Sequence, residues 1–259
     1  MTKKEQTAAE IVKAARDKNK ISARELIANV FDDFYELHGD RVMEDDPAMI
    51  GGIALFNGQP VTVIATDKGT TPQERIARHF GCPTPAGYRK AQRLMTQAAK
   101  FNRPVVVFVN TAGAYAGVEA EEQGQGYMIA QNLMVMSELK TPLITVITGE
   151  GGSGGALALA GGDAVWMLEK SIYSVISPEA FASILWKDSS RADEAAETLK
   201  ISPAELLKRN IIEGIIPESE DHSETCAAVA DVLQTEIQRL QKFSVEELLA
   251  QRHARFRKF

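Results

Sequence analysis

Three short, β-branched apolar runs, residues 60–66, 103–110 and 142–148, are each followed by a loop of small residues. Two long helical segments, 87–101 and 119–139, lie between them. Strand, turn and helix repeated in that order predict parallel strands joined by crossover helices, an α/β fold. In 87–101 the apolar face is Ala91, Leu94, Met95, Ala98 and Phe101, with Arg89, Lys90 and Arg93 outside it. In 119–139 the stripe is Met128, Ile129, Leu133, Met136 and Leu139. Both stripes read as core rather than as cofactor contacts.

The last of the three runs leads into Gly149-Glu-Gly-Gly-Ser-Gly-Gly-Ala156, with five glycines in seven residues. Glycines at a strand-to-helix junction allow positive φ and let another molecule approach the main chain. The first N–H groups of a helix lack internal partners and carry the positive end of its dipole. The element is therefore expected to hold an oxyanion or a phosphate. A second turn of this kind, Asn110-Thr-Ala-Gly113-Ala-Tyr-Ala-Gly117, lies one repeat earlier. Two such turns at neighbouring strand ends can gather donors at one sheet edge.

Gly149, Gly151 and Gly154 formally match a dinucleotide fingerprint, with Glu169 twenty residues beyond Gly149. Only 156–160 can be helix before Gly161-Gly162, short of the ~10–12 residues a parallel crossover usually needs. No Gly-Lys-Ser/Thr follows the glycines, which excludes a Walker-type loop. Ser153 as a nucleophile would need His79 or His222 as its base. Glu121, Glu122 and Glu150 are candidate acids or bases, and a helix dipole explains the first two equally well.

Helices are expected over residues 5–18 and, from a capping box at Ser22-Ala-Arg-Glu25, through Leu37. Leu26, Ile27, Val30, Phe31, Phe34 and Leu37 are expected on its buried face. Strands 164–168 and 172–176 follow, then a capping box at Ser202-Pro-Ala-Glu205 and helices over 224–240 and 244–255. Apolar residues make up 44% and charged residues 25%, and the net charge of −6 argues against a general nucleic-acid binder. The basic run from Arg252 to Lys258 reads as a helix end or a dock for an acidic partner. No signal peptide, membrane span, zinc motif or disulfide framework is indicated, with Cys82 and Cys226 isolated, so a cytoplasmic protein is expected. The organisation expected is an N-terminal helical extension (1–40), a core (41–217) and a C-terminal helical extension (218–259).

From Phe31 to Pro217 the chain resembles the alpha subunit of acetyl-coenzyme A carboxylase carboxyltransferase. The resemblance rests on Phe31-Asp-Asp-Phe34, Leu37-His-Gly-Asp-Arg41 and Asp45-Asp-Pro-Ala-Met-Ile-Gly-Gly-Ile53. It continues in Gly87-Tyr-Arg-Lys90, Lys100-Phe-Asn-Arg-Pro104, the glycine run, Tyr173-Ser-Val-Ile-Ser-Pro-Glu179 and Ile184-Leu-Trp-Lys-Asp188. The family usually has Asp-Thr-Pro-Gly-Ala-Tyr-Pro-Gly where Asn110–Gly117 stand, and Glu in place of Ala86. It usually has Gly in place of Ala180, and a Gly-Gly-Ala-His string beyond Pro217.

The resemblance implies a crotonase-like spiral of ββα units with helical extensions at both termini. It implies transfer of carboxylate from carboxybiotin, held on a carrier protein, to acetyl-CoA to give malonyl-CoA. The implied partners are a zinc-ribbon beta subunit in an alpha2beta2 complex, the biotin carboxyl carrier protein and biotin carboxylase. No nucleic acid, membrane or metal on this chain is implied. The backbone amides of Gly154 and Gly155 are expected to stabilise the oxyanion on biotin. Gly151, Gly152, Gly113, Ala114 and Tyr115 are expected to shape the biotin site. Two other readings stay open: a stand-alone crotonase-type acyl-CoA hydratase or isomerase using Glu121, and a non-catalytic scaffold subunit.

Overall fold

The computed structural model describes residues 6–259. α1 (Ala8–Ala15) opens on a reciprocal capping box between Thr7 and Glu10, and residue 5 of the expected helix lies outside the described residues. α2 (Ala23–Val30) is capped by the Ser22 hydroxyl, which accepts from the Glu25 amide. The Glu25 carboxylate pairs with His222 instead of completing the box.

The helix expected to reach Leu37 stops at Val30. Phe31 is extended, and Asp32–Glu36 form β1 along the edge of β2 (Met49–Phe56). Phe31 and Phe34 still face the core, so tertiary pairing overrides the helical spacing without exposing the apolar residues.

β2 turns back antiparallel into β3 (Gln59–Thr66). After α3 (Pro72–Ala77) and α4 (Pro85–Lys100), β4 (Val105–Thr111) lies parallel to β3. The expected 119–139 helix is two helices, α5 (Val118–Glu122) and α6 (Gln125–Ser137). Gly124, at φ +83°, breaks them.

β5 (Leu143–Gly152) is parallel to β4 and leads into α7 (Ser153–Leu157). Its first half pairs with β6 (Ala164–Leu168), and its last three residues pair with β7 (Ile172–Ser174). After α8 (Pro178–Phe181), α9 (Ala192–Leu199) and α10 (Pro203–Lys208), β8 (Gly214–Ile216) pairs with β6. Pro203 opens α10, but the Ser202 side chain does not cap it. α11 (His222–Leu240) and α12 (Val245–Phe256) follow.

Successive strand residues point to opposite faces, and both faces here are buried. Val106, Phe108, Ile144 and Val146 pack with α2 and α11 on one side. Val105, Val107, Val109 and Ile147 pack with α4 and α6 on the other. This explains the near-continuous apolar runs in the sequence.

Two helical faces depart from the sequence reading. Lys90, expected outside the stripe of α4, is 1% exposed with its ammonium on Asp45, and Arg89 binds Asp40. Phe101, expected on the buried face, is exposed past the end of α4. Two arginines of the basic tail, Arg252 and Arg255, are also buried, while Arg257 and Lys258 stay exposed. Arg252 donates to both oxygens of Asp163 and to the carbonyls of Met136, Leu139 and Thr141. Arg255 binds Glu213 and the Ile211 carbonyl. These bonds clasp α12 to the core.

A candidate main-chain site between two turns

The ends of β4 and β5 are neighbours, so the turns that follow them meet. The Asn110 Oδ1 accepts from the Glu150 amide at 3.0 Å. A β-carbon on Gly149 would press on the Asn110 side chain, and one on Gly152 would overlap the Ala112 carbonyl. One on Gly155 would overlap the Ala114 nitrogen. The glycines are there for this close approach.

None of the five has positive φ, contrary to the expectation; that conformation falls on Ser153, at φ +48°. Gly151 instead faces Tyr173, across the pairing of β5 with β7.

Gly154 differs from its neighbours. A β-carbon there would find nothing nearer than the Ile129 Cγ2 at 3.7 Å. The amides of Gly154 and Gly155 begin α7 and so lack partners inside the helix. None of the described residues accepts from them or from the Ala114 amide, while the Gly113 amide is held by the Thr111 hydroxyl. α7 has only five residues, so few peptide dipoles align in it and the individual donors carry the electrostatics.

Tyr115 belongs to the same turn. Its ring stacks on His79 at 3.9 Å with 19° between planes. Its amide donates to the Pro83 carbonyl, and its own carbonyl accepts from the Gln125 Nε2. His79 and Phe80, with φ of 45° and 55°, stand next to Gly81 at 80°, a left-handed run that aims the imidazole at the tyrosine.

The side chains expected as acids, bases or nucleophiles are occupied elsewhere. Glu150 accepts from the Lys68 ammonium at 2.6 Å and the Arg16 Nε at 2.7 Å. Burial works against its ionisation, but Lys68 and Arg16 outweigh it and hold the carboxyl below the usual range. Arg16 also reaches Glu179, so α1 is tied to β5 and to α8 together. His222 is bound to Glu25 and His79 is stacked on Tyr115, which leaves Ser153 without the expected base. Glu121 and Glu122 are exposed on α5.

One buried residue was missed by sequence reasoning as part of the site. The Tyr88 hydroxyl, on α4, donates to the Gly155 carbonyl at 3.0 Å. Tyr88 is fully buried, and burial pushes its phenol well above the ordinary range. Its place in Gly87-Tyr-Arg-Lys90 marked family resemblance only. An aromatic in an apolar stripe gives no sign of which carbonyl its hydroxyl meets.

The chain matches, over residues 2–259, the family described as acetyl co-enzyme A carboxylase carboxyltransferase-like. It is 56% identical over 252 residues to the acetyl-coenzyme A carboxylase carboxyl transferase subunit alpha of Streptococcus thermophilus, covering 97% of this chain and 98% of that one. The subunit of that name from Streptococcus equi subsp. zooepidemicus is 58% identical with the same coverage.

Among solved structures, transcarboxylase 12S with methylmalonyl-coenzyme A and methylmalonic acid bound superposes with a TM-score of 0.70 at 20% identity. The match covers 90% of this chain and 46% of that one, so this chain spans about half of the solved chain. The geranyl-CoA carboxylase beta subunit of P. aeruginosa gives a TM-score of 0.66 at 16% identity, covering 90% and 46%. The expected crotonase-like carboxyltransferase fold is therefore present. With relatives of this identity along nearly its whole length, the chain belongs to the family of acetyl-coenzyme A carboxylase carboxyltransferase alpha subunits.

Proposed function

We propose that the facing turns 112–115 and 152–155 are where this carboxyltransferase subunit stabilises the charge that develops as carboxylate passes to acetyl-CoA. The observation that carries the reading is the set of three amides, Ala114, Gly154 and Gly155, with no acceptor among the described residues. They sit on two turns packed against each other, and the β position of Gly154 meets only the Ile129 side chain, at 3.7 Å.

Those features fit the ureido head of a biotin, a flat polar group needing donors and no neighbouring side chain. When bound, carboxybiotin supplies the carboxyl group and an oxygen on which negative charge builds. The chain's part is to hold N–H donors where that charge develops, fixed before the reaction so that no reorganisation is needed. Gly152 and Gly155 let the two turns close, and Gly113, Ala114 and Tyr115 form the opposing wall. Glu150 and Glu179 together balance the charges of Lys68 and Arg16 beside the site. No free base is required of this chain in this reading. The hydratase or isomerase alternative needs one, and Glu121 stands exposed on α5, outside the paired turns.

The partners proposed are a zinc-ribbon beta subunit, in an alpha2beta2 assembly that supplies most of the acetyl-CoA site, and the biotinyl carrier protein charged by biotin carboxylase. The complex is proposed to be cytoplasmic, as the family resemblance implies. No helix among the described residues is long and apolar enough to cross a membrane. The test is reconstitution. The purified chain should form almost no malonyl-CoA from carboxybiotin and acetyl-CoA, and activity should appear on adding the beta subunit. Efficient turnover by the single chain would contradict the reading.

A further inference from the structure

The segment that enters α4 touches both turns from behind. The Pro83 carbonyl accepts from the Tyr115 amide at 3.0 Å and from the Gln125 Nε2 at 2.8 Å, which fixes the first turn. Five residues on, the Tyr88 hydroxyl holds the Gly155 carbonyl in the second. This short segment is itself anchored. Asp46 accepts from the Thr84 amide at 2.7 Å and the Thr84 hydroxyl at 3.1 Å, and also from the Ala48 amide. Gly87 lies so close that a β-carbon would overlap the Asp46 carboxylate.

We infer that Tyr88 is a positioning residue for carboxyl transfer, acting through the Gly155 peptide. A peptide group is planar, so fixing the Gly155 oxygen also fixes the Ala156 amide and the setting of the Gly155 Cα against Ala114. With Pro83 holding the opposite turn, residues 83–88 set the gap between the two rows of donors. A site of this kind loses rate steeply when its supporting contacts let it drift by about an ångström. The phenol suits the task, because burial keeps it protonated and so always a donor. The inference rests on placing the reaction at Gly154 and Gly155, and the experiment separates the two.

Tyr88→Phe keeps the ring and removes only the donor. In the assembled enzyme with carboxybiotinyl carrier and acetyl-CoA, kcat should fall about tenfold or more, while KM for the biotin donor stays within about twofold. 3-Fluorotyrosine at position 88, which keeps the hydroxyl, should restore kcat to within about twofold. A purely structural role would lower the yield of assembled enzyme and leave the kcat of what assembles unchanged.

A Tyr88→Phe kcat within twofold of wild type overturns the inference, and so does a fluorotyrosine enzyme as slow as Tyr88→Phe. If Tyr88→Phe does not assemble, 4-fluorophenylalanine at position 88 decides, because it fills the space of the hydroxyl without donating. Its kcat should fall as expected for Tyr88→Phe, and a kcat within about twofold of wild type overturns the inference. If Gly154→Val also keeps full rate, it is the location of the site that fails. If Gly154→Val is slow and Tyr88→Phe is not, only the positioning role fails.

Discussion

Gly155 sets its bare Cα against the backbone nitrogen of Ala114, so closely that a β-carbon would overlap it. The two turns are therefore one packed unit, and a side chain at Gly155 forces them apart.

That contact changes what Gly155→Val should do. Reading the sequence alone, the substitution is expected to crowd the ligand and leave stability near wild type. With Ala114 and Gly113 in the way, it should lower both rate and melting temperature. Overpacking a close-packed site typically costs ~1–3 kcal/mol. Thermal unfolding of the isolated chain checks this, and an unchanged Tm would show that the turns separate freely.

Ser153 should prove a conformational residue and not a nucleophile. It is exposed and holds φ +48°, a region where β-branched residues are outliers. Ser153→Ala and Ser153→Gly should keep most activity, whereas Ser153→Val should lose it. A covalent mechanism would instead lose several orders of magnitude in Ser153→Ala.

Much of the framework of the candidate site is legible in the sequence. The strands near 60–66, 103–110, 142–148 and 164–168 showed as apolar runs, and the two glycine-bearing turns were placed correctly at their ends. What stayed hidden has particular causes. β2 contains Gly51 and Gly52, which weaken a strand signal; they are needed because Leu94 and the Tyr35 carbonyl press on them. Phe34 in β1, with Phe31 and Leu37 on either side of it, falls at a spacing that mimics a helix. Lys90 and Arg252 look solvated in sequence and are buried because acids and carbonyls far along the chain receive them. Local patterns cannot register such partners.

Arg252 gives a stability prediction. Its side chain is fully buried against Asp163 and three carbonyls. Removing one partner of a buried pair strands the other, so Arg252→Ala should cost about 3–5 kcal/mol. Urea unfolding measures the loss, and a cost below about 1 kcal/mol would mean that α12 is not clasped through this residue.

Glu150 predicts an acid dependence. Its folded pKa lies below the unfolded value because Lys68 and Arg16 outweigh burial. Its contribution is thus fully present above the unfolded value of about 4.3 and is lost as pH falls through the lower folded value. The stability gap between wild type and Glu150→Gln should be flat from neutral pH down to about 5 and then narrow in acid. A gap that widens on acidification would reverse the sign.

Main-chain amides at Gly154 and Gly155, facing Ala114, are proposed to carry the transfer. Gly154→Val is the decisive substitution, because its β-carbon meets only Ile129, at ordinary contact distance, and not the opposing turn. In the reconstituted complex kcat should fall by about 10²–10³, as when one such donor is lost, with assembly and melting temperature near wild type. A Gly154→Val enzyme that assembles and carboxylates acetyl-CoA at the wild-type rate would mean that these amides do not carry the transfer.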